Sequence, residues 1–130
     1  MNLKLSVSLF LVIIVFTIWA DDHADSVFAA KAKITMLELG STTCVPCKMM
    51  DPVMDSLKES YGDQLEIIFY DVKKDKAKAE LWKIRMIPTQ IFLDPEGNEI
   101  HRHTGFYPEE LIDNFLAEQG LVKTSEEEDK

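Results

Sequence analysis

Ile34-Thr35-Met36-Leu37-Glu38-Leu39-Gly40-Ser41-Thr42-Thr43-Cys44-Val45-Pro46-Cys47 is the stretch that decides how this chain is read. A short apolar run suited to a buried strand ends at Gly40 and leads into the only two cysteines of the sequence. Ser41, Thr42 and Thr43 supply helix-capping hydroxyls directly before Cys44, so the pair is expected at the start of a helix. Two thiols three positions apart either close a small disulfide ring, stand open as a dithiol, or form half of a metal site. A four-ligand zinc site needs two more cysteines or histidines at similar spacing, and His23, His101 and His103 are all distant in sequence. A structural staple is a weak reading too, because a loop enclosing two residues excludes few unfolded conformations. Redox chemistry is favoured.

Working outward, Met50, Val53, Met54, Leu57 and Tyr61 follow Cys47 at helical spacing, and Gly62 supplies a stop. Pro52 falls inside that helix and reads as a kink. Leu65 to Tyr70 is β-rich and predicts a second buried strand. Lys74 to Lys83 predicts a helix with Ala77, Leu81 and Ile84 on one face. Ile91-Phe92-Leu93 predicts a third strand, Asp94 to Asn98 a turn, and Ile100 to Thr104 the antiparallel return. Pro108 suits the opening of a last helix, with Glu109 and Glu110 at its positive end. Its apolar stripe is Leu111, Ile112, Phe115 and Leu116, and Gly120 ends it. The order β-α-β-α-β-β-α predicts an α/β fold, a central mixed sheet with helices on its faces. His101 and His103 read as solvated strand histidines rather than ligands, Met49, Met50 and Met54 as core or groove residues, and Trp82 as packing.

The 130 residues carry 14 Lys and Arg against 23 Asp and Glu, a net charge of −9. That acidity argues against nucleic acid as a partner. Residues 1–20 read as an export signal: Lys4 is the positive start, Leu5 to Trp19 is mostly apolar, and Ala20 precedes Asp21-Asp22. About 15 apolar residues fit a signal peptide better than a membrane span of about 20. Retention as an anchor through residues 5–20 stays open. Residues 21–33 read as a linker, 34–120 as one domain, and 121–130 as an acidic disordered tail around Glu126-Glu127-Glu128-Asp129. The expected location is periplasmic or otherwise extracytoplasmic.

Four features together resemble the thioredoxin family: Cys44-Val45-Pro46-Cys47-Lys48 after a strand, Pro52 beyond it, Ile84-Arg85-Met86-Ile87-Pro88-Thr89, and Gly105 after the hairpin. The resemblance runs from about Ile34 to Gln119 and implies a thioredoxin fold with thiol–disulfide oxidoreductase activity. It implies Cys44 as nucleophile and Cys47 as resolving thiol, the Cys44–Cys47 disulfide being the redox group with no other cofactor or metal. A cysteine at a helix N-terminus is stabilised as thiolate by unpaired N–H groups, which accounts for the first role. In the family the proline matching Pro88 is cis and lies beside the cysteines, which implies that the Ile87 backbone pairs with an extended substrate. Thr43, Val45, Pro46 and Gly105 complete the implied contact surface. Glu38 stands where thioredoxins carry a buried aspartate, which implies a proton acceptor for Cys47; the alternative is that it points out of a half-exposed strand.

Three positions depart from the family pattern: Thr43 replaces tryptophan, Val45 replaces glycine, and Phe69 replaces the lysine that often partners the acid. Residues 21–33 are also too few for the family's extra first strand and helix. Isoleucine before the proline is typical of reducing thioredoxins, so the implied activity is an exported protein-disulfide reductase acting as a monomer. A membrane electron-conducting thiol reductase is the implied donor, and oxidised exported proteins or apocytochromes are the implied acceptors. Related potentials span about −270 to −120 mV, so an oxidase or isomerase of the same fold is the alternative. From another class, the alternative is a metal-binding or adaptor module using the two thiols as soft ligands.

Overall fold

The structure is a computed structural model and describes residues 33–124; the expectations for residues 1–32 and 125–130 lie outside it. Leu121, read as the start of the tail, is instead buried in the core, and Val122 is hydrogen-bonded to Gln64. The elements are β1 (Ile34–Gly40), α1 (Val45–Lys48), α2 (Asp51–Tyr61), β2 (Leu65–Asp71), α3 (Lys76–Leu81), β3 (Thr89–Leu93), β4 (Glu99–Thr104) and α4 (Glu109–Glu118). The strands form one sheet in the order β2-β1-β3-β4, with β1 parallel to β2 and antiparallel to β3, and β3 antiparallel to β4. This is the mixed sheet that the element order predicts.

Alternation along the strands divides the core into two layers. On one face Ile34, Met36 and Phe92 pack against Val53, Met54 and Leu57 of α2 and Ile112 and Leu116 of α4. On the other, Leu37, Leu39, Ile91 and Leu93 pack with Ile68, Tyr70, Trp82 and Ile84. Burial on both faces explains why β1 and β3 read as nearly continuous apolar runs. Leu65 to Tyr70, read as a buried strand, instead forms β2 at the end of the sheet order, where only Leu65 is buried.

Helical details differ from the sequence expectation in ways that matter. The single helix expected from Cys47 to Tyr61 divides at Met49-Met50, and Pro52 falls in the first turn of α2 instead of mid-helix. There its missing N–H leaves no helical bond unmade. In α3 the expected face is turned out: Leu81 is 64% exposed. The Asp75 side chain caps Lys78 N–H at 3.2 Å, and the helix ends after six residues. Lys83, at φ 54°, then reverses the chain, with Ile84 N–H donating to Ala79 C=O at 2.8 Å in a Schellman-type closure. Ile84 therefore packs from the loop and not from the helix.

Leu111 is also exposed, because Ile112, Phe115 and Leu116 fill the inward stripe of α4. The histidines are half-buried rather than fully solvated. His101 stacks on Phe115 with centroids 4.6 Å apart, and its Nε2 lies 3.1 Å from the Tyr107 hydroxyl. His103 stacks on Tyr107 at 3.9 Å. The chain entering α4 folds back over that face of β4 and covers both rings.

Candidate active site

The C-terminal ends of β1 and β2, the start of β3 and the end of β4 meet at one end of the sheet. Gly40 closes β1 there, and it must lack a side chain. A Cβ at Gly40 would lie 3.3 Å from both Cβ and Sγ of Cys47 and 3.4 Å from the Phe69 ring. Cys47 is thus seated on the backbone of β1, on the same face as Glu38, and is only 3% exposed. Cys44 is half-buried one turn earlier. The two form a disulfide with Cα atoms 5.2 Å apart.

The hydroxyl residues before Cys44 do not cap α1 as expected. Cys44 is itself the N-cap, its Sγ accepting a hydrogen bond from Cys47 N–H at 3.3 Å. The hydroxyls instead fasten the loop. Ser41 Oγ accepts from Thr43 N–H at 3.3 Å, and Thr42 Oγ1 donates to Asp71 at the end of β2 at 3.1 Å. Lys73 Nζ donates to Thr43 Oγ1 at 2.9 Å, which brings a cation to the residue beside the outer cysteine. Val45, at 72% exposure, and the exposed Pro46 present the outer surface of the turn.

Opposite them, the Ile87-Pro88 peptide bond is cis and Pro88 is fully buried. Leu39 pairs with Thr89, so the next antiparallel step sets Pro88 alongside Gly40 and the cysteine seated on it. Gly105, at φ 98°, donates its N–H to Pro88 C=O at 2.8 Å, and Thr89 Oγ1 donates to Met86 C=O at 2.7 Å. Such a φ favours glycine strongly. The backbone N–H and C=O of Ile87 have no hydrogen-bond partner among the described residues. Unpaired backbone beside a reactive sulfur is a place where a peptide strand can add.

Glu38 is completely buried, which removes the outward-pointing alternative. It lies two residues before Gly40 on the face that carries Cys47, about 7 Å along the strand. Gln90, its cross-strand partner, donates Nε2–H to Glu38 Oε2 at 3.0 Å. Among the described residues, neither Glu38 Oε1 nor Gln90 Oε1 has a hydrogen-bond partner. Burial raises the Glu38 pKa from 4.5 to about 7; the Gln90 hydrogen bond opposes that rise and the charge of Asp51 adds to it. Ser41, Thr42, Cys47, Lys48, Asp51 and Phe69 line a cleft of about 290 Å³ between this buried layer and solvent.

All nine residues singled out in the sequence lie at this end of the sheet. Three neighbours escaped the sequence reading: Gln90, Asp51 and Lys73. Only Gln90 carried a signal, as a polar residue inside the apolar run Thr89–Leu93. Among the described residues there is no group of three or more His, Cys, Asp or Glu that could hold a metal ion.

Comparison with known proteins agrees with this geometry. The family described as Thioredoxin matches residues 15–118. Thioredoxin of Staphylococcus epidermidis is 31% identical over 94 residues, 71% of this chain and 89% of that protein. Thioredoxin of Bacillus subtilis is 29% identical over the same length and shares. Among solved structures, the germline-specific thioredoxin Deadhead of Drosophila melanogaster is similar at TM-score 0.62 and 30% identity, covering 69% of this chain and 84% of that one. A mutant thioredoxin from Halobacterium salinarum has the same fold at TM-score 0.62 and 20% identity, covering 68% and 75%.

Proposed function

The chain belongs to the thioredoxin family as a disulfide oxidoreductase with a CxxC-type cysteine pair, and from that premise we propose that it is an exported reductase of protein disulfides. The observation that carries the reading is the unequal placement of the two sulfurs: Cys44 half-buried with a backbone N–H directed at its Sγ, Cys47 enclosed against Gly40. In the reduced protein that N–H favours the Cys44 thiolate, and Lys73, held on Thr43, adds positive charge nearby. Cys44 Sγ attacks one sulfur of a substrate disulfide; a Cys44–substrate mixed disulfide forms and the other substrate sulfur leaves as thiolate.

Cys47 then loses its proton to the Glu38 carboxylate and attacks Cys44 Sγ. The bond to the substrate breaks, the second substrate thiolate leaves, and the Cys44–Cys47 disulfide closes. Two electrons have passed from the protein dithiol to the substrate, and Glu38 holds one proton. The open backbone of Ile87 supports binding of the substrate as an extended segment, with Thr43, Val45, Pro46 and the Pro88–Gly105 junction around it. The redox group is the cysteine pair alone, without metal or other cofactor.

Outside the cytosol the disulfide has to be reopened by electrons from across the membrane, so a membrane thiol reductase is the proposed donor. Exported proteins with disulfides are the proposed acceptors, met by the protein as a monomer. The apolar run Leu5 to Trp19, with Asp21-Asp22 after it, supports export, and the acidic net charge of −9 supports proteins over nucleic acid as partners.

Insulin reduction driven by dithiothreitol tests the chemistry. The wild type should accelerate insulin precipitation and Cys44→Ser should not; turnover surviving in Cys44→Ser would end this reading. The reduction potential of the pair tests direction: a value near that of thioredoxin, about −270 mV, supports a reductase, and one near −120 mV an oxidase. Cell fractionation with N-terminal sequencing tests export, and a mature chain still beginning at Met1 in the cytosol would overturn it.

A further inference from the structure

One row of residues crosses the sheet beneath the cysteines on a single face: Phe69 on β2, Glu38 on β1, Gln90 on β3 and His103 on β4. Its two central members are polar and both are completely buried. A buried amide normally satisfies its donor and its acceptor, yet Gln90 directs Nε2–H at Glu38 and leaves Oε1 without a partner among the described residues. That arrangement costs folding free energy and serves the carboxyl group only.

The charges around that carboxyl explain what is served. From β2 it meets the Phe69 ring, which carries no charge, and from α2 it feels Asp51, an acid. Cys47 on α1 is seated over Gly40, next along the same face. Lys48 lines the same cleft but forms no ion pair with either acid. His103 is one strand beyond Gln90, stacked on Tyr107 with its Nε2 toward Phe106 C=O at 3.2 Å. Among the described residues, the Gln90 amide is the one hydrogen-bond donor that Glu38 has.

We propose that Gln90 is a positioning residue for dithiol exchange, its amide holding the Glu38 carboxylate by Oε2 and leaving Oε1 as the oxygen that receives the Cys47 proton. The proposal rests on the reductase reading above and deepens it. Without the amide, burial and Asp51 act on Glu38 unopposed, and the carboxylate becomes too scarce near neutrality to serve as a base. With it, carboxylate and carboxyl are both populated where exchange has to run. Gln90 exchanges no proton and touches no substrate; it acts through Glu38.

The test uses the full chain. In the wild type, the Gln90 side-chain amide resonances should titrate together with the Glu38 carboxyl carbon, with one midpoint near 7, and that titration should vanish in Glu38→Gln. In Gln90→Met, which keeps the volume and removes the donor, the Glu38 midpoint should rise by about one pH unit, a tenfold change in its ionisation equilibrium. Release of thionitrobenzoate from the mixed disulfide on Cys44 should then slow about fivefold at pH 7, as the carboxylate fraction drops from about a half to about a tenth. Formation of that mixed disulfide, followed in a Cys47→Ser background, should stay unchanged.

A Glu38 midpoint that does not move in Gln90→Met overturns the proposal. If that variant does not fold, the wild-type titration decides by itself: an amide that ignores the carboxyl group overturns it. Insulin reduction that survives in Cys44→Ser defeats the reductase reading instead, and leaves the link between amide and carboxyl to be read independently.

Discussion

The two faces of the sheet are built from the same strands and differ in kind. Leu37, Leu39, Ile91 and Leu93 form a layer in which the buried Thr89 hydroxyl beside Leu39 is satisfied by Met86 C=O, whereas the opposite layer sets Glu38 and Gln90 among Met36, Phe92 and the cysteine pair. A mainly apolar layer whose buried hydroxyl is already satisfied stabilises by burial. The layer beneath the cysteines contains two buried oxygens without partners among the described residues and a carboxyl group that burial resists ionising. Neighbouring residues of one strand thus divide between holding the fold together and making it react.

Four measurements would break or sharpen that division. The largest effect belongs to the reactive face: Cys47→Ser should abolish turnover and trap the substrate on Cys44 as a mixed disulfide, visible as a covalent adduct by mass spectrometry. Rapid release without Cys47 would remove its resolving role. On the apolar face, Leu39→Ala should cost about 2–5 kcal/mol in urea unfolding, while the turnover of the folded fraction stays close to wild type. A large loss of turnover at unchanged stability would mean that the two faces do not divide the work.

The third measurement is stability against pH. Glu38 has a folded pKa of about 7 against an ordinary value of 4.5, so between those values the folded protein binds more protons than the unfolded chain. Stability should therefore be highest below about 4.5, fall as pH rises through the window to about 7, and level off above it as far as this group is concerned. Glu38→Gln should remove that slope and stabilise the protein by up to about 3 kcal/mol at pH 8, with little effect at pH 4. A variant less stable than wild type at pH 8 would show that the carboxylate stabilises the fold. The smallest effect is expected at the mouth of the cleft, where Asp51→Asn should lower the Glu38 midpoint by a fraction of a unit, read from its carboxyl carbon.

Legibility in the sequence followed the range of the forces involved. Strand β1, the break at Gly40 and the position of the cysteines are local facts of pattern and turn chemistry, and they were readable, as were the hairpin around Gly97 and the element order. What escaped depended on which segments meet. Ala77 and Leu81 promised an apolar face, but α3 closes after six residues and that face is exposed. The hydroxyls of Thr42 and Thr43 read as helix caps, yet Asp71 and Lys73 from β2 and its loop claim them. Gln90 is polar beside the apolar run Ile91–Leu93, but its partnership with Glu38 requires the β1–β3 register, which no single segment encodes. The histidines of β4 likewise read as solvated because the fold-back of Phe106-Tyr107 cannot be inferred from alternation alone.

The location of Trp82 has a spectroscopic consequence. Its indole packs with the Leu37–Leu39 layer, and the sheet separates it from the disulfide on the Gly40 face. A disulfide quenches indole emission only at close range, so the fluorescence of Trp82 should barely respond when the Cys44–Cys47 bond opens. Where this family often carries a tryptophan against the outer cysteine, this chain has Thr43, a residue with no emission of its own. Once the proposed export segment and its Trp19 are removed, light from Trp82 should follow unfolding closely and remain almost blind to redox state, which makes it an optical gauge of the scaffold during turnover.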